Sequence, residues 1–244
     1  MNKGEFDAKV VLVTGAASGL GRAASVRFAQ EGAHVCLVDI NAAGLAETAR
    51  TITDAGGLCA NYCGDLGLPS NCTDAVNVAI EAFGRLDVLC NVAGILRFHA
   101  LADVSAEDWN KLFAVNVTAP FFMTQAAMPH LVESKGNVVN VASTAAFIGQ
   151  SYTAPYAATK AALLSLTKSL AMEFIKYATG SKPLAGMPDV AYGPTRKSSM
   201  PLADQSAAPH LPTAHLDKGI QAGSEFWADY GESLGEKFNE WLLK

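Results

Sequence analysis

The stretch APYAATKAALLSL, residues 154–166, carries Tyr156 and Lys160 four positions apart. Residues so spaced share one face of a helix, so a phenol and an ammonium would stand side by side. The pairing suits oxidation of an alcohol, which needs a base for the hydroxyl proton while hydride leaves the carbon. A free phenol titrates near ~10, too high to serve well at neutral pH. An ammonium ~4 Å away favours the phenolate by about 4 kcal/mol at an effective dielectric near 20, which is enough to bring a phenol into range. Many helices carry a Tyr and a Lys at this spacing by chance. The pair gains meaning if the chain also supplies a hydride carrier and a group that holds the substrate.

The stretch TGAASGLG, residues 14–21, provides for a carrier. Gly15, Gly19 and Gly21 let the backbone turn sharply between an apolar run and an amphipathic one. The helix that follows would offer unpaired N–H groups and a positive dipole end to a pyrophosphate. The spacing is G-x3-G-x-G, not the common G-x-G-x-x-G. Asp39 closes the next apolar run, at the ~20-residue offset of a ribose-binding acid. Its carboxylate would accept from both ribose hydroxyls and repel a 2′-phosphate. No Lys or Arg lies in the turn before Gly21 or just after Asp39. These features favour NAD over NADP. Ser143 follows another apolar run, thirteen residues before Tyr156. If that run is a parallel strand, its end faces the ligand crevice, and the hydroxyl can hold the substrate oxygen.

The elements that must position these groups follow from hydrophobic periodicity. Strands are predicted over 9–15, 34–39, 58–65, 86–94 and 136–143. Helices are predicted from 19 to Gly32, over 41–57, 69–84, 105–134 and 153–177, with Ser105 and Asp108 forming a capping box and Pro120 and Pro129 as interruptions. Strand and helix alternate, which implies right-handed crossovers and an α/β, doubly wound parallel sheet of Rossmann type with helices on both faces. Residues 1–177 read as a dinucleotide-binding and catalytic core. Residues 178–244 are rich in Pro, Gly and Ser and read as an atypical segment of the same domain, with a short strand near 189–192 and a terminal amphipathic helix over 220–241.

Together these motifs resemble the short-chain dehydrogenase/reductase family, over about residues 8–176. TGAASGLG resembles the family's T-G-x3-G-x-G turn, and NVAG (91–94) its N-N-A-G motif. Asn116, Ser143, Tyr156 and Lys160 stand where the family has its catalytic Asn, Ser, Tyr and Lys. The resemblance implies that Gly15, Ser18, Gly19, Leu20, Gly21, Asp39, Ile40, Asp65, Leu66, Asn91, Ala93, Gly94, Tyr156 and Lys160 contact the dinucleotide. Asp65 would meet the adenine ring, and Asn116 would support a water linking Lys160 to solvent. The long helices 105–134 and 153–177 would pair subunits in a homo-oligomer, a dimer or tetramer. Two departures stand out. Val92 replaces the second Asn of N-N-A-G. Past Tyr177, VAYGPT (190–195) is a dim echo of the family's Pro-Gly and Thr, and the final third reads either as a diverged lid or as an altered reading frame.

The remaining composition narrows the function. A net charge of -5 with no basic cluster gives no sign of a nucleic-acid partner. The N-terminus lacks a signal-peptide core and no apolar run reaches membrane length, so a cytoplasmic protein is expected. The five cysteines read as buried free thiols, because Cys59 and Cys63 have no second pair at zinc spacing and no metal is expected. His34, His130, His210 and His215 read as surface or capping residues and His99 as a loop residue, and no G-x-S-x-G elbow supports a serine hydrolase. The expected activity is an NAD-dependent oxidoreductase that interconverts a secondary alcohol and a ketone. The loop 96–99 and residues 145–152 are largely apolar, which points to a hydrophobic or ring-shaped alcohol. The alternative is a dinucleotide-binding protein without turnover, its C-terminal third no longer closing the site.

Overall fold

The computed structural model describes residues 4–178. Five parallel strands form one sheet in the order β3-β2-β1-β4-β5: β1 Val10–Thr14, β2 His34–Asp39, β3 Leu58–Cys63, β4 Val88–Asn91 and β5 Asn137–Asn140. Between and after them run α1 Gly19–Gln30, α2 Ala42–Asp54, α3 Pro69–Phe83, α4 Ala106–Phe113, α5 Ala119–Ser134 and α6 Ala154–Ala178. This is the doubly wound architecture expected from the alternation of elements.

Successive strand residues face opposite sides of the sheet. Val10 and Leu12 of β1 join Cys36 and Val38 of β2 in one core, covered by α3 and α5. Val11 and Val13 join Val35 and Leu37 in the other, covered by Leu45 and Ile52 of α2 and by Phe28 of α1. Strands buried on both faces need apolar residues at every position, which explains the unbroken runs in β1 and β2. β3 and β5 stand at the two ends of the order, and none of their residues is fully buried.

The chain builds outward from β1 to β3, then crosses back to place β4 against the other side of β1. The connections leaving β1 and β4 therefore diverge at their C-terminal ends and open a crevice there. The strands expected over 58–65, 86–94 and 136–143 end earlier, at Cys63, Asn91 and Asn140. Gly64 and Val141 still donate to Asp39 C=O and Asn91 C=O at 3.0 Å each, and the strand pattern stops after them.

The segment expected as a helix over 105–134, with Pro120 and Pro129 as interruptions, is divided ahead of the first of them. α4 ends at Phe113, a π-helical turn occupies Ala114–Thr118, and α5 follows. Pro120 sits in the first turn of α5, where its missing N–H costs little. Pro129 lies inside α5 without ending it, because Ala127 and Leu131 on either side are buried against the core. The predicted cap holds: Ser105 accepts from the Asp108 N–H at 3.0 Å.

At the end of the sheet away from the crevice, Asp87 is nearly buried and accepts from Val10 N–H at 3.0 Å, Arg85 Nη2 at 2.6 Å and Lys9 Nζ at 3.1 Å. Burial pushes its carboxyl up, but the hydrogen bonds from Arg85, the Val10 N–H and Lys9 outweigh it and hold the group below the usual carboxylate range.

All five cysteines are free, and Cys36, Cys72 and Cys90 are buried. Cys59 and Cys63 depart from the expectation: Cys59 is half-buried and Cys63 is exposed, because both lie on the edge strand β3. Among the described residues no His/Cys/Asp/Glu group could hold a metal ion, and no helix is long and apolar enough to cross a membrane. The short strand near 189–192, the helix over 220–241, and His210 and His215 lie outside the described residues.

Candidate active site

The glycine turn joins β1 to α1 at the mouth of the crevice. Gly15 has φ +71°, and a Cβ there would lie 3.0 Å from the Ala93 backbone. A Cβ on Gly21 would overlap the Gly15 carbonyl. These glycines are needed so that the turn can fold on itself and against the loop after β4. Gly19, at φ +52°, has nothing within 4 Å of its would-be Cβ, so this side of the turn is open. Ser18 is the N-cap of α1 but makes no side-chain bond to the helix. The first-turn N–H groups are therefore left to a ligand, and an open, uncapped helix start suits a pyrophosphate.

Neighbouring elements brace the turn. Thr14 Oγ1 accepts from the N–H groups of Val92 and Ala93, each at 3.0 Å, tying the N-V-A-G loop to β1. Thr48 of α2 donates to the Ala16 carbonyl at 2.9 Å. Asp39 accepts from Ala17 N–H at 3.0 Å and Asn41 N–H at 2.9 Å, which fixes its carboxylate beside the turn. Arg22 donates to the Ala17 carbonyl through Nε at 3.1 Å and Nη2 at 2.5 Å, and to Glu47 at 2.8 Å. Leu20 in the first turn of α1 and Ile40 just after β2 expose apolar side chains.

Asp65 stands after β3, across the crevice. Its carboxyl accepts from Lys111 Nζ at 2.7 Å and Gly67 N–H at 2.8 Å. These bonds, Lys111 foremost, hold it below the usual carboxylate range. Leu66 turns its side chain into the core, so only its backbone could meet a ligand.

The proposed reacting groups converge from three elements. The buried Asn116 lies in the π turn, accepts from Ile95 N–H at 2.8 Å, and donates to Ile95 C=O at 2.9 Å and Thr159 Oγ1 at 3.0 Å. Thr159 in turn donates to the Tyr156 carbonyl at 2.7 Å. The amide thus clamps the loop after β4 to the helix turn that bears Tyr156 and Lys160. A Cβ on Gly94 would lie 3.3 Å from Asn116 Oδ1 and 3.4 Å from Lys160 Nζ, so all three meet at one point. Lys160 is nearly buried, and burial pulls its pKa down. Its Nζ donates to Val141 C=O at 2.7 Å and lies 5.8 Å from the Tyr156 ring centroid. Two residues past Val141, Ser143 begins a short 3₁₀ turn, and its hydroxyl accepts from Ala145 N–H at 3.2 Å.

Asn91 is buried and donates to Asn140 at 2.8 Å across β4 and β5. Asn140 donates on to Thr167 of α6 at 2.9 Å. This expected cofactor residue therefore directs its amide into the sheet. Of the expected site residues, Gly15, Ala93, Gly94, Asn116, Tyr156 and Lys160 gather at the β1–β4 divide, whereas Asp65 and Leu66 belong to the β3 end. Sequence reasoning missed Arg22, Thr48, Lys111 and Thr159. Arg22 and Thr159 adjoin Gly21 and Lys160, a signal that was open to reading; Thr48 and Lys111 carry none.

The mouth of the crevice is apolar. Leu96, Phe98, Leu101, Phe147, Ile148 and Tyr152 are all exposed. They lie on two loops joined by a hydrogen bond from His99 N–H to Tyr152 C=O at 3.0 Å. Asp108 of α4 pins the first loop through Arg97 at 2.7 Å, with His99 at 3.5 Å.

A family model described as short chain dehydrogenase matches residues 9–179. An uncharacterized oxidoreductase of Thermotoga maritima is 42% identical over 173 residues, covering 70% of this chain and 68% of the relative. The crystal structure of an NAD⁺-bound xylitol dehydrogenase superposes with a TM-score of 0.68 at 30% identity, covering 71% of this chain and 67% of that one. A metagenomic short-chain oxidoreductase in complex with NADP gives a TM-score of 0.68 at 31% identity, covering 71% and 79%.

Proposed function

The chain belongs to the short-chain dehydrogenase/reductase family, and on that premise we propose that it is an NAD-dependent oxidoreductase interconverting a secondary alcohol and a ketone, with Tyr156 as the proton acceptor. The observation that carries this reading is the meeting of Gly94, Asn116 and Lys160 at one point, one helical turn from Tyr156. When bound, the nicotinamide would take hydride from the alcohol carbon or return it to the ketone.

The residues present fit such a group. The uncapped start of α1 and the open side of Gly19 would hold the pyrophosphate. Asp39, held by two N–H donors, would accept from the adenosine ribose hydroxyls and disfavour a 2′-phosphate. In the alcohol-oxidising direction, Tyr156 would take the hydroxyl proton as phenolate. Lys160, anchored on Val141, would hold its ammonium beside the ring. Ser143 would hydrogen-bond the substrate oxygen. Asn116 would fix the helix turn that carries the pair.

The apolar mouth supports a hydrophobic or ring-shaped alcohol. Trp109 of α4 and Phe121 of α5 are exposed, which supports a homo-oligomer built on these helices. The test is titration of the protein with NADH by fluorescence, then a screen of aliphatic and cyclic secondary alcohols for NAD reduction. Binding followed by turnover supports the reading. Binding without turnover on every alcohol makes the chain a dinucleotide-binding protein only.

A further inference from the structure

We propose that Glu47 is a positioning residue for cofactor choice: by holding Arg22 it withholds the guanidinium that would otherwise receive a 2′-phosphorylated dinucleotide. The proposal rests on the NAD reading of the site, and it concerns a residue that would touch neither cofactor nor substrate.

The juxtaposition centres on Ala17. Its N–H goes to the Asp39 carboxylate and its C=O to Arg22. The N and O atoms of one residue are about 3 Å apart, so the guanidinium lies within roughly 9 Å of the acid that marks the ribose end. An arginine side chain spans that distance by changing rotamers. A guanidinium presents a rigid fork of donors suited to phosphate. By chemistry and place, Arg22 is therefore fitted to receive a 2′-phosphate.

Its hydrogen bonds prevent this. Nε and Nη2 fork onto Ala17 C=O, and Nη2 also reaches Gly44 C=O at 3.5 Å and Glu47 Oε2 at 2.8 Å. The two carbonyls are neutral, so Glu47 alone among these acceptors cancels the charge of Arg22. With Glu47 present the pair is neutral, Asp39 leaves this corner net negative, and a 2′-phosphate meets repulsion. Without Glu47 the Arg22 charge is uncovered but only offsets Asp39; without both acids, one net positive charge stands beside the ribose end. Removing Asp39 alone would lift the repulsion yet supply no cation. Selectivity thus has two parts, an acid that repels and a second acid that occupies the nearest base.

The experiment compares NADPH and NADH dissociation constants by nucleotide fluorescence for Asp39→Ser, Asp39→Ser/Glu47→Gln, and the latter with Arg22→Met added, each checked by thermal melting. The double variant should bind NADPH about fivefold more tightly relative to NADH than Asp39→Ser does, the scale of one partly exposed charge pair, and salt should reduce the gain. Arg22→Met should erase it. Equal ratios in the single and double variants, or a gain that survives loss of Arg22, would overturn the proposal. A merely structural role for Glu47 would weaken both nucleotides together and leave the ratio still. If Asp39→Ser does not fold, Glu47→Gln is compared with the parent using adenosine 2′,5′-bisphosphate as displacing ligand; no rise in its affinity overturns the proposal. A parent that prefers NADPH would sink the NAD reading, while the variant series would still decide the role of Glu47.

Discussion

Lys160 Nζ donates to the main-chain carbonyl of Val141 at 2.7 Å, so the ammonium is tethered to the chain leaving β5, two residues before Ser143. One hydrogen bond thereby sets α6 against the strand end that presents the serine. Lys160→Met removes both tether and charge. Steady-state NADH production should fall about 100-fold or more. Lys160→Arg should not restore it, because a planar fork does not replace a buried ammonium.

Tyr156→Phe removes only a hydroxyl. NAD reduction should fall by roughly 10²–10⁴-fold, the range of a lost general base. NADH affinity, read by fluorescence titration, should change far less. A Phe variant as active as the parent would remove Tyr156 from the chemistry.

Asn116 makes three hydrogen bonds while fully buried. Asn116→Ala would leave the Ile95 N–H and C=O without these partners. The cost should be about 2–4 kcal/mol in urea unfolding, with activity lost in parallel as the loop and α6 separate. Asn116→Asp keeps the acceptor for Ile95 N–H but loses both donors, so it should not recover stability.

Asp87 predicts a pH dependence remote from the chemistry. Its folded-state pKa lies below the ordinary value of 3.8. Between the two values the unfolded chain binds more protons, so stability rises with pH through that window. The stabilisation is whole above 3.8 and fades as pH falls through the folded value. Asp87→Asn should be about 1–3 kcal/mol less stable at pH 7, with the gap from the parent closing as pH falls below 3.8 in urea titrations.

The thiols should react in the order of their burial. Burial pushes Cys36 up to about 12, and Cys72 and Cys90 up to about 11, so little nucleophilic thiolate forms at neutral pH. Cys63 is exposed. Brief iodoacetamide treatment of the native protein, read by peptide mass spectrometry, should label Cys63 and spare Cys36, Cys72 and Cys90. Prompt labelling of Cys36 would mean that the β2 region opens readily.

The sequence disclosed what is local or periodic. The unbroken run VVLVT can be satisfied only by a strand covered on both faces, and the glycines after it mark the turn before α1. The pairing of Tyr156 with Lys160 follows from helical geometry alone. What stayed hidden lies between residues distant along the chain. Lys111 meets Asp65 across 46 positions and Arg22 meets Glu47 across 25, and no local pattern encodes either pair. The prolines signalled an interruption near Pro120, but the wide turn at Ala114–Thr118 that carries Asn116 was hidden, because the residues on either side keep an apolar pattern that a continuous helix would fit equally well.

That break constrains the length of the chain more than its composition. Within α5, Ala119, Met123, Ala127 and Leu131 recur every fourth residue and all are buried. Deleting one residue from 114–118 would let the helix wind without its wide turn, and since four residues of α-helix turn through about the angle that five cover in a π turn, α5 would keep its phase. The greasy stripe of α5 would stay on the core while Asn116 lost its grip on Ile95. The extra residue of the wide turn thus serves the clamp at Asn116; losing its codon would undo that clamp and spare the sheet's cover.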